Sequence, residues 1–368
     1  MLQNIATFSE PGLDVYFQSA RAHIDGKATT NLVQFIRSAK KTLDCAIYDL
    51  KDPEVVGALQ SVADKVTLRI GYDGGKQKEV KGGPSLDPKP KGTAQIIEDS
   101  GLAKYSTAIH VTGGHLMHSK YIIRDDYTIW TGSGNWTYGG LDLQDNNFLA
   151  LSSPQLADAY KTNFESLTSE SHTHPDKTKK SDMSHLLSPE RAIKIGNVAV
   201  TPYFSGGGTE EIENAVVALI DKAKKVRIIA MLISDLGILQ ALSKFEPADK
   251  DIKGVVDPHE MKQVMKPPRG KSKIPAALFW FARKDKRFVA APSHAYSQND
   301  NNDFMHNKVM IIDDRIVITG SYNFSENAEN NDENMLILES SEAAASYTKY
   351  FEVLFEQYQK RGAPLPPE

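Results

Sequence analysis

The chain writes one stretch twice, and any fold has to accommodate both copies. Residues 117–151 read MHSKYIIRDDYTIWTGSGNWTYGGLDLQDNNFLAL, and residues 305–338 read MHNKVMIIDDRIVITGSYNFSENAENNDENMLIL. His306 follows His118 by 188 residues. In the same register Lys120 matches Lys308, Asp125 matches Asp313, and Gly132-Ser133-Gly134-Asn135 matches Gly320-Ser321-Tyr322-Asn323. A period this long is not a solenoid repeat. It points to two similar halves, each supplying half of one site.

Within a copy, the His and Lys stand two apart, which on an extended backbone puts both side chains on one face. Val309, Met310, Ile311 and Ile312 then form a short buried-strand run ended by Asp313 and Asp314. Residues 315–319 return as a second apolar strand, so the pair reads as a hairpin. Asp125 and Asp313 fall at the hairpin turns, where they are expected to bond backbone amides rather than react. The Gly-Ser-x-Asn segment supplies a glycine for close backbone approach, a hydroxyl and an amide, groups able to bind an oxyanion.

The flanking elements repeat in the same order. The first half predicts a strand over 13–17, a helix over 30–41, a strand over 42–48, a helix over 52–63 and a strand over 66–72. A helix over 93–100, the hairpin and a closing helix over 154–167 follow. The second half predicts strands over 200–204, 226–233 and 252–257, helices over 210–225 and 236–245, and a last helix containing 351–358. Residues 76–91 read as a Gly/Pro/Lys loop and 168–189 as a polar linker. The expected division is an N-terminal domain over 1–168, a linker over 169–195 and a C-terminal domain over 196–368. The class implied is α/β: two similar domains, each a mixed β-sheet flanked by helices, largely parallel apart from the antiparallel hairpin.

The pattern His118-x-Lys120-x4-Asp125 with Gly132-Ser133-x-Asn135, repeated as His306-x-Lys308-x4-Asp313 with Gly320-Ser321-x-Asn323, resembles the phospholipase D superfamily. A lone His-x-Lys would be incidental; two complete copies in register are not. The resemblance implies two α/β domains about a pseudo-twofold axis, one site between them, and phosphodiester cleavage that needs no metal or other cofactor. It implies a covalent phosphohistidine. By resemblance His118 attacks phosphorus and His306 is the general acid, although the motifs are too symmetric for sequence to set that order. Lys120, Lys308, Asn135 and Asn323 would hold the phosphoryl oxygens, with Ser133 and Ser321 as further substrate-binding candidates.

Aligning 145–151 with 332–338 sets Asn146 opposite Glu333. In relatives such groups cross between halves, so Glu333 is expected on His118 and Asn146 on His306. A carboxylate on an imidazole N–H fixes the tautomer and favours imidazolium, while an amide orients the ring with less pull. Both motifs lie in one chain, so a monomer is expected.

Composition narrows the context. Of 368 residues 40% are hydrophobic and 24% charged, as in a globular protein, and a net charge of -4 gives no bulk attraction to nucleic acid or anionic membrane. The only cysteine, Cys45, sits in an apolar run and is expected in the core. No apolar run reaches the roughly 18 residues of a membrane span. The first residues lack a signal-peptide pattern, so a cytoplasmic protein is the default expectation, an exported one if a leader has been removed. His115, His172, His174, His185, His259 and His294 have no repeat partners and are read as non-catalytic, and Trp130 and Trp136 as packing.

The substrate signal is local. Residues 262–287 hold nine Lys or Arg against one acid, Asp285, with Phe279, Trp280 and Phe281 among them. Lys262, Arg283, Lys284, Lys286 and Arg287 are therefore candidate contacts to a phosphate backbone, and 76–91 adds a second lysine-rich loop. That favours a nuclease with DNA or RNA as substrate. The alternative is a phospholipase D acting on phospholipid headgroups, for which the apolar run 276–281 could meet a bilayer. Intact His and Lys in both motifs argue against a catalytically silent binding protein.

Overall fold

The computed structural model describes residues 5–75, 92–111, 113, 115–169, 187–206, 210–245, 251–265, 287–296 and 302–365. The loop at 76–91, most of the linker with His172, His174 and His185, and Phe279, Trp280, Phe281, Arg283, Lys284 and Lys286 lie outside these residues.

Among the described residues each half is built on one mixed sheet. The first takes β1 (Thr7–Glu10), β2 (Leu13–Ser19), β3 (Ile24–Asp25), β4 (Thr42–Ile47), β5 (Thr67–Asp73), β6 (Ser106–Ile109), β7 (Lys120–Arg124), β8 (Thr128–Gly132) and β9 (Asn146–Ser152). Its order is β1-β2-β9-β8-β7-β4-β5-β6, with β3 paired to β2. The second takes β10 (Ile193–Ile195), β11 (Val198–Phe204), β12 (Lys225–Ala230), β13 (Asp251–Val256), β14 (Phe288–Ala290), β15 (Lys308–Ile312), β16 (Ile316–Gly320) and β17 (Asn334–Glu339). Its order, β10-β11-β17-β16-β15-β12-β13-β14, is the first order again, position for position. The helices are α1 (Ala28–Arg37), α2 (Pro53–Val62), α3 (Thr93–Asp99), α4 (Pro154–Thr168), α5 (Glu211–Lys222), α6 (Leu236–Ser243), α7 (Pro258–Met265) and α8 (Ser341–Arg361).

Local chemistry sets the helix boundaries. Asp52 caps α2 by accepting from the amides of Glu54 and Val55, with Pro53 at the first helical position. Ser153 and Ser340 cap α4 and α8 in the same manner. α1 buries Leu32, Val33, Phe35 and Ile36 along one side, the amphipathic spacing its sequence shows.

The pairing differs from expectation. Among the described strands only β4–β5–β6 and β12–β13–β14 run parallel, and every other ladder is antiparallel. Apolar runs mark strands without marking direction. Each motif hairpin lies at the centre of its sheet; strands on one side of it continue antiparallel, and on the other side one antiparallel ladder is followed by the parallel pairs. The helix predicted to reach Lys225 stops at Lys222, and Lys225 opens β12. Inside the expected linker, Ile193–Ile195 is an edge strand paired with β11.

One apolar cluster runs through both halves, joining Phe17, Tyr121, Leu149 and Tyr160 to Val200, Val309, Leu336 and Tyr350. Tyr160 of α4 accepts from Asn334 Nδ2 at 3.2 Å, and Tyr347 of α8 donates to Asn147 Oδ1 at 2.9 Å, so each closing helix reaches into the other half. The halves therefore share a packed core, which holds their facing edges in one geometry. Cys45, Trp130 and Trp136 are buried in a first-half cluster.

Candidate active site

Each motif strand begins at the seam between the halves. Lys120 opens β7 opposite Ile47 of β4, and Lys308 opens β15 opposite Ala230 of β12. The amide of His118 donates to the Asp332 carbonyl at 2.9 Å, and that of His306 to the Asp145 carbonyl at 3.1 Å. One residue earlier, the Met117 amide donates to Asp73 Oδ1 at 3.0 Å and the Met305 amide to Asp257 Oδ2 at 3.3 Å. Backbone bonds from both halves thus locate each histidine.

Gly132 and Gly320 end the hairpins with φ of +157° and +148°. A Cβ on either would lie 2.3 Å from the carbonyl oxygen of Asn147 or Asn334 on the neighbouring strand. Only glycine permits that approach. It delivers Ser133 and Ser321 directly beneath the histidines of the opposite halves.

There the side chains cross. His118 Nδ1 meets Glu333 Oε2 at 2.8 Å, and His306 Nδ1 meets Asn146 Oδ1 at 3.1 Å. Ser321 Oγ donates to the same Glu333 oxygen at 2.6 Å, and Ser133 Oγ to the same Asn146 oxygen at 2.7 Å. Asn146 Nδ2 donates to the Gly140 carbonyl at 2.8 Å, so its oxygen is the atom turned to His306. With Nδ1 committed in both rings, Nε2 is the nitrogen for chemistry in each. Lys120 and Lys308 are each 1% exposed and donate to the carbonyls of His118 and His306. The Lys120 ammonium also lies 4.7 Å from the centre of the Tyr48 ring, which packs edgewise on His118.

Burial decides the protonation states. It lowers His118 to about 4, outweighing the opposing pull of Glu333. The carboxylate therefore does not keep His118 as imidazolium, contrary to the simplest reading of that pair. Burial, then Lys308 and Lys120, hold His306 well below its ordinary value. Burial brings Lys120 down to about 7 and Lys308 well below the usual lysine range. Burial would raise Glu333, but His118, Lys120 and the Ser321 hydroxyl together keep it below the ordinary glutamate value.

Both histidines open into a cavity of about 300 Å³ lined by Tyr48, Asp49, Asn135, Glu260, Tyr296 and Asn323 among others. The Oδ1 atoms of Asn135 and Asn323 are buried without a partner among the described atoms. Ser133 and Ser321, expected to touch substrate, instead buttress the histidine partners and do not line the cavity. The Arg287 guanidinium donates to the Phe245 carbonyl at 3.1 Å, a bond that ties the start of β14 to the end of α6, and Arg287 does not line the cavity. Lys262 is exposed on α7 and does not line the cavity. Among the described residues no three His, Cys, Asp or Glu side chains converge as a metal site.

Asp125 and Asp313 do what turn aspartates are expected to do. Both have left-handed φ, 56° and 50°. Asp125 Oδ1 accepts the amides of Lys40, Lys41 and Thr42 at 3.0, 2.6 and 3.1 Å, and Asp313 those of Lys224 and Lys225 at 2.9 and 2.8 Å. Asp125→Ala is expected to destabilise by about 2 kcal/mol in urea unfolding and to leave kcat of the folded protein nearly unchanged. A loss of turnover without a loss of stability would contradict this structural role.

Sequence reasoning passed over Asp73 and Asp257, which hold the motif backbone within each half, and the cross-half supports Asn147 and Asn334. Asn147 joins Asn307 at 2.8 Å and Thr319 at 2.8 Å, and Asn334 joins Thr131 at 2.8 Å. Their signal was present, since each has a counterpart at nearly the repeat offset.

Fold and site together define a two-domain phosphodiesterase whose paired motifs meet across a pseudo-twofold seam. The chain belongs to the phospholipase D superfamily: residues 32–168 and 216–355 match the family described as cardiolipin synthase, PLD-like domain. A mitochondrial cardiolipin hydrolase of Canis lupus familiaris is 36% identical over 76 residues, 18% of this chain and 30% of that protein. A phospholipase D of Rickettsia conorii is 56% identical over 43 residues, 11% of this chain and 22% of that protein. The chain thus spans less than a third of the length of either relative. The solved phosphatidylserine synthase of Haemophilus influenzae superposes with a TM-score of 0.66 over 99% of this chain and 92% of that one, at 16% identity, a likeness of fold.

Proposed function

We propose that this phosphodiesterase cleaves the headgroup phosphodiester of phospholipids through a covalent phosphohistidine on His118. Neutral His118 attacks phosphorus through Nε2, and the bond to the headgroup oxygen breaks as His306 gives that oxygen a proton. His306 then takes a proton from water, which attacks the phosphohistidine and releases phosphatidate. Glu333 offsets the positive charge of the phosphorylated imidazole, which is why the carboxylate-paired ring is assigned the attack. An anionic phosphate between Lys120 and Lys308 favours their charged forms and raises His306 toward a protonated state.

The observation that carries the choice of substrate is the cavity wall. The half-buried Glu260 lines it beside the aromatic rings of Tyr48, Tyr296 and Phe304, with Asp49 paired to Lys51 at 3.3 Å. A polynucleotide would bring further phosphates past the Glu260 carboxylate against like charge. Phosphatidylcholine or phosphatidylethanolamine brings one phosphodiester and a cationic headgroup, and cardiolipin only one phosphate beyond the reacting one. Tyr296 is 70% exposed and stacks on Phe304 at 6.2 Å, an amphipathic rim suited to a lipid interface. The matches to cardiolipin synthase and cardiolipin hydrolase support the same reading. The nuclease reading rests on the basic stretches 262–287 and 76–91; of their lysines and arginines only Lys262 and Arg287 are among the described residues, and neither lines the cavity.

One preparation should be given vesicles of phosphatidylcholine, phosphatidylethanolamine and cardiolipin, and separately single-stranded DNA, duplex DNA and RNA. The expected products from at least one vesicle type are phosphatidate and the freed alcohol, which for cardiolipin is phosphatidylglycerol. Cleavage of a nucleic acid with every vesicle left intact would overturn the lipid assignment and restore the nuclease.

A further inference from the structure

Behind the second motif lies a knot of acids. Tyr322, between Ser321 and Asn323, donates its hydroxyl to Glu329 Oε1, which also accepts the Glu213 amide at 3.1 Å. Glu329 Oε2 is buried with no partner among the described atoms. Glu213, on α5, meets the Asp235 side chain, and Asp235 caps α6 by accepting the Ile238 amide at 2.9 Å. Asp235 and Tyr322 are 1% exposed and Glu329 is 5% exposed, with Glu210 and Glu326 adding negative charge from the rim.

The repeat supplies a control for this arrangement. The amides of Asp52 and Asp235 donate to the Trp136 and Phe324 carbonyls, which are in motif register, so the two caps correspond. Asp142 and Glu329 each stand four residues before the histidine partner, Asn146 or Glu333. Thr29 and Glu213 each stand three residues before the buried Leu32 or Val216 of their helix. In the first half the Thr29 hydroxyl donates to Asp142 Oδ2 at 2.9 Å. An uncharged donor thus occupies the place where the second half puts a third carboxyl.

We propose that Glu213 is a positioning residue that works in its protonated form: its carboxyl O–H donates to Asp235, which keeps the three acids compatible and leaves Glu329 to hold Tyr322 in place. Loss of that proton sets like charges against one another in a buried space. The strain falls on Glu329 and Tyr322, and through them on the Ser321–Glu333 bond and on Asn323 in the cavity. Burial, then Asp235, Glu329 and Glu210, push Glu213 up to about 8 from 4.5, and burial pushes Glu329 up to about 7. A carboxyl raised on folding costs stability progressively as pH rises from its unfolded value through its folded one, so the cost grows from about 4.5 to about 8 and is complete above.

Glu213→Gln, which keeps a donor, and Glu213→Thr, which copies Thr29, test this with bis(p-nitrophenyl) phosphate as substrate and with thermal unfolding. Both variants should match wild-type kcat near neutral pH and exceed it about threefold or more at about pH 9. Their Tm advantage over wild type should grow from mildly acidic pH to about 8 and then level. An alkaline limb set by Lys120 would be common to all three proteins and would not alter these differences. Equal alkaline limbs with a pH-independent Tm difference would overturn the proposal. So would failure of both variants to fold near neutral pH, because an uncharged donor is then not sufficient. Neither readout depends on the lipid assignment.

Discussion

His118→Ala and His306→Ala will each lower turnover of a phosphodiester with an alkyl leaving group by about 10⁴-fold or more. The reason is that each ring is assigned a separate step, attack for one and proton transfer for the other. Each nucleophilic or proton-transferring nitrogen is Nε2 of a ring whose Nδ1 is already bound across the seam. A p-nitrophenyl leaving group separates the roles, because it departs without a proton. On that substrate His306→Ala should recover about 10²-fold relative to the alkyl ester, while His118→Ala should recover nothing. EDTA should leave the wild-type rate unchanged. Recovery by His118→Ala in place of His306→Ala would reverse the assignment of attacker and acid. Comparable turnover in both variants on both substrates would end the phosphohistidine scheme.

Glu333→Gln will lower kcat on the order of 10²-fold and move the acidic limb of the pH–rate profile to lower pH. The sign follows from the opposing influences on His118. Burial holds the ring at about 4 while Glu333 pulls upward, so removing the carboxylate lets the ring fall further. Neutral His118 then persists to lower pH, yet the phosphorylated ring loses the charge that balances it. Asn146→Ala should cost about tenfold through misorientation of His306, with the acidic limb unmoved. The pairing to test is thus an asymmetric one, a carboxylate on one histidine and an amide on the other. If Glu333→Gln left kcat intact, Glu333 would be a structural partner of Ser321 and no more.

Much of this site was legible without coordinates because the chain states it twice. A single His-x-Lys carries little weight, but two copies in one register disclosed the duplicated domain, the histidines, the lysines and the crossing of Glu333 and Asn146. Cap chemistry was legible for the same local reason: Asp52-Pro53 and Ser153-Pro154 carry their helix starts in adjacent residues. Strand direction was not, because an apolar run looks the same whichever way its neighbour points. That is how sheets expected to be largely parallel proved antiparallel except at β4–β5–β6 and β12–β13–β14.

What the sequence determined by itself was everything carried by residue type and spacing: the family, the two halves and the candidate reacting groups. What only the tertiary structure decided was everything carried by burial and by contacts across about 200 residues of chain. Ser133 and Ser321 could have faced substrate or framework, and Gly132 and Gly320 turn them to the framework. Glu333 could have held His118 charged, and desolvation overrules it. Glu213 reads as one more surface glutamate on a helix, until the fold sets it against Asp235 and Glu329. Charge and hydrogen-bonding capacity are written in the side chain, but their energetic consequence depends on how much water is left around it, and only the packed chain sets that.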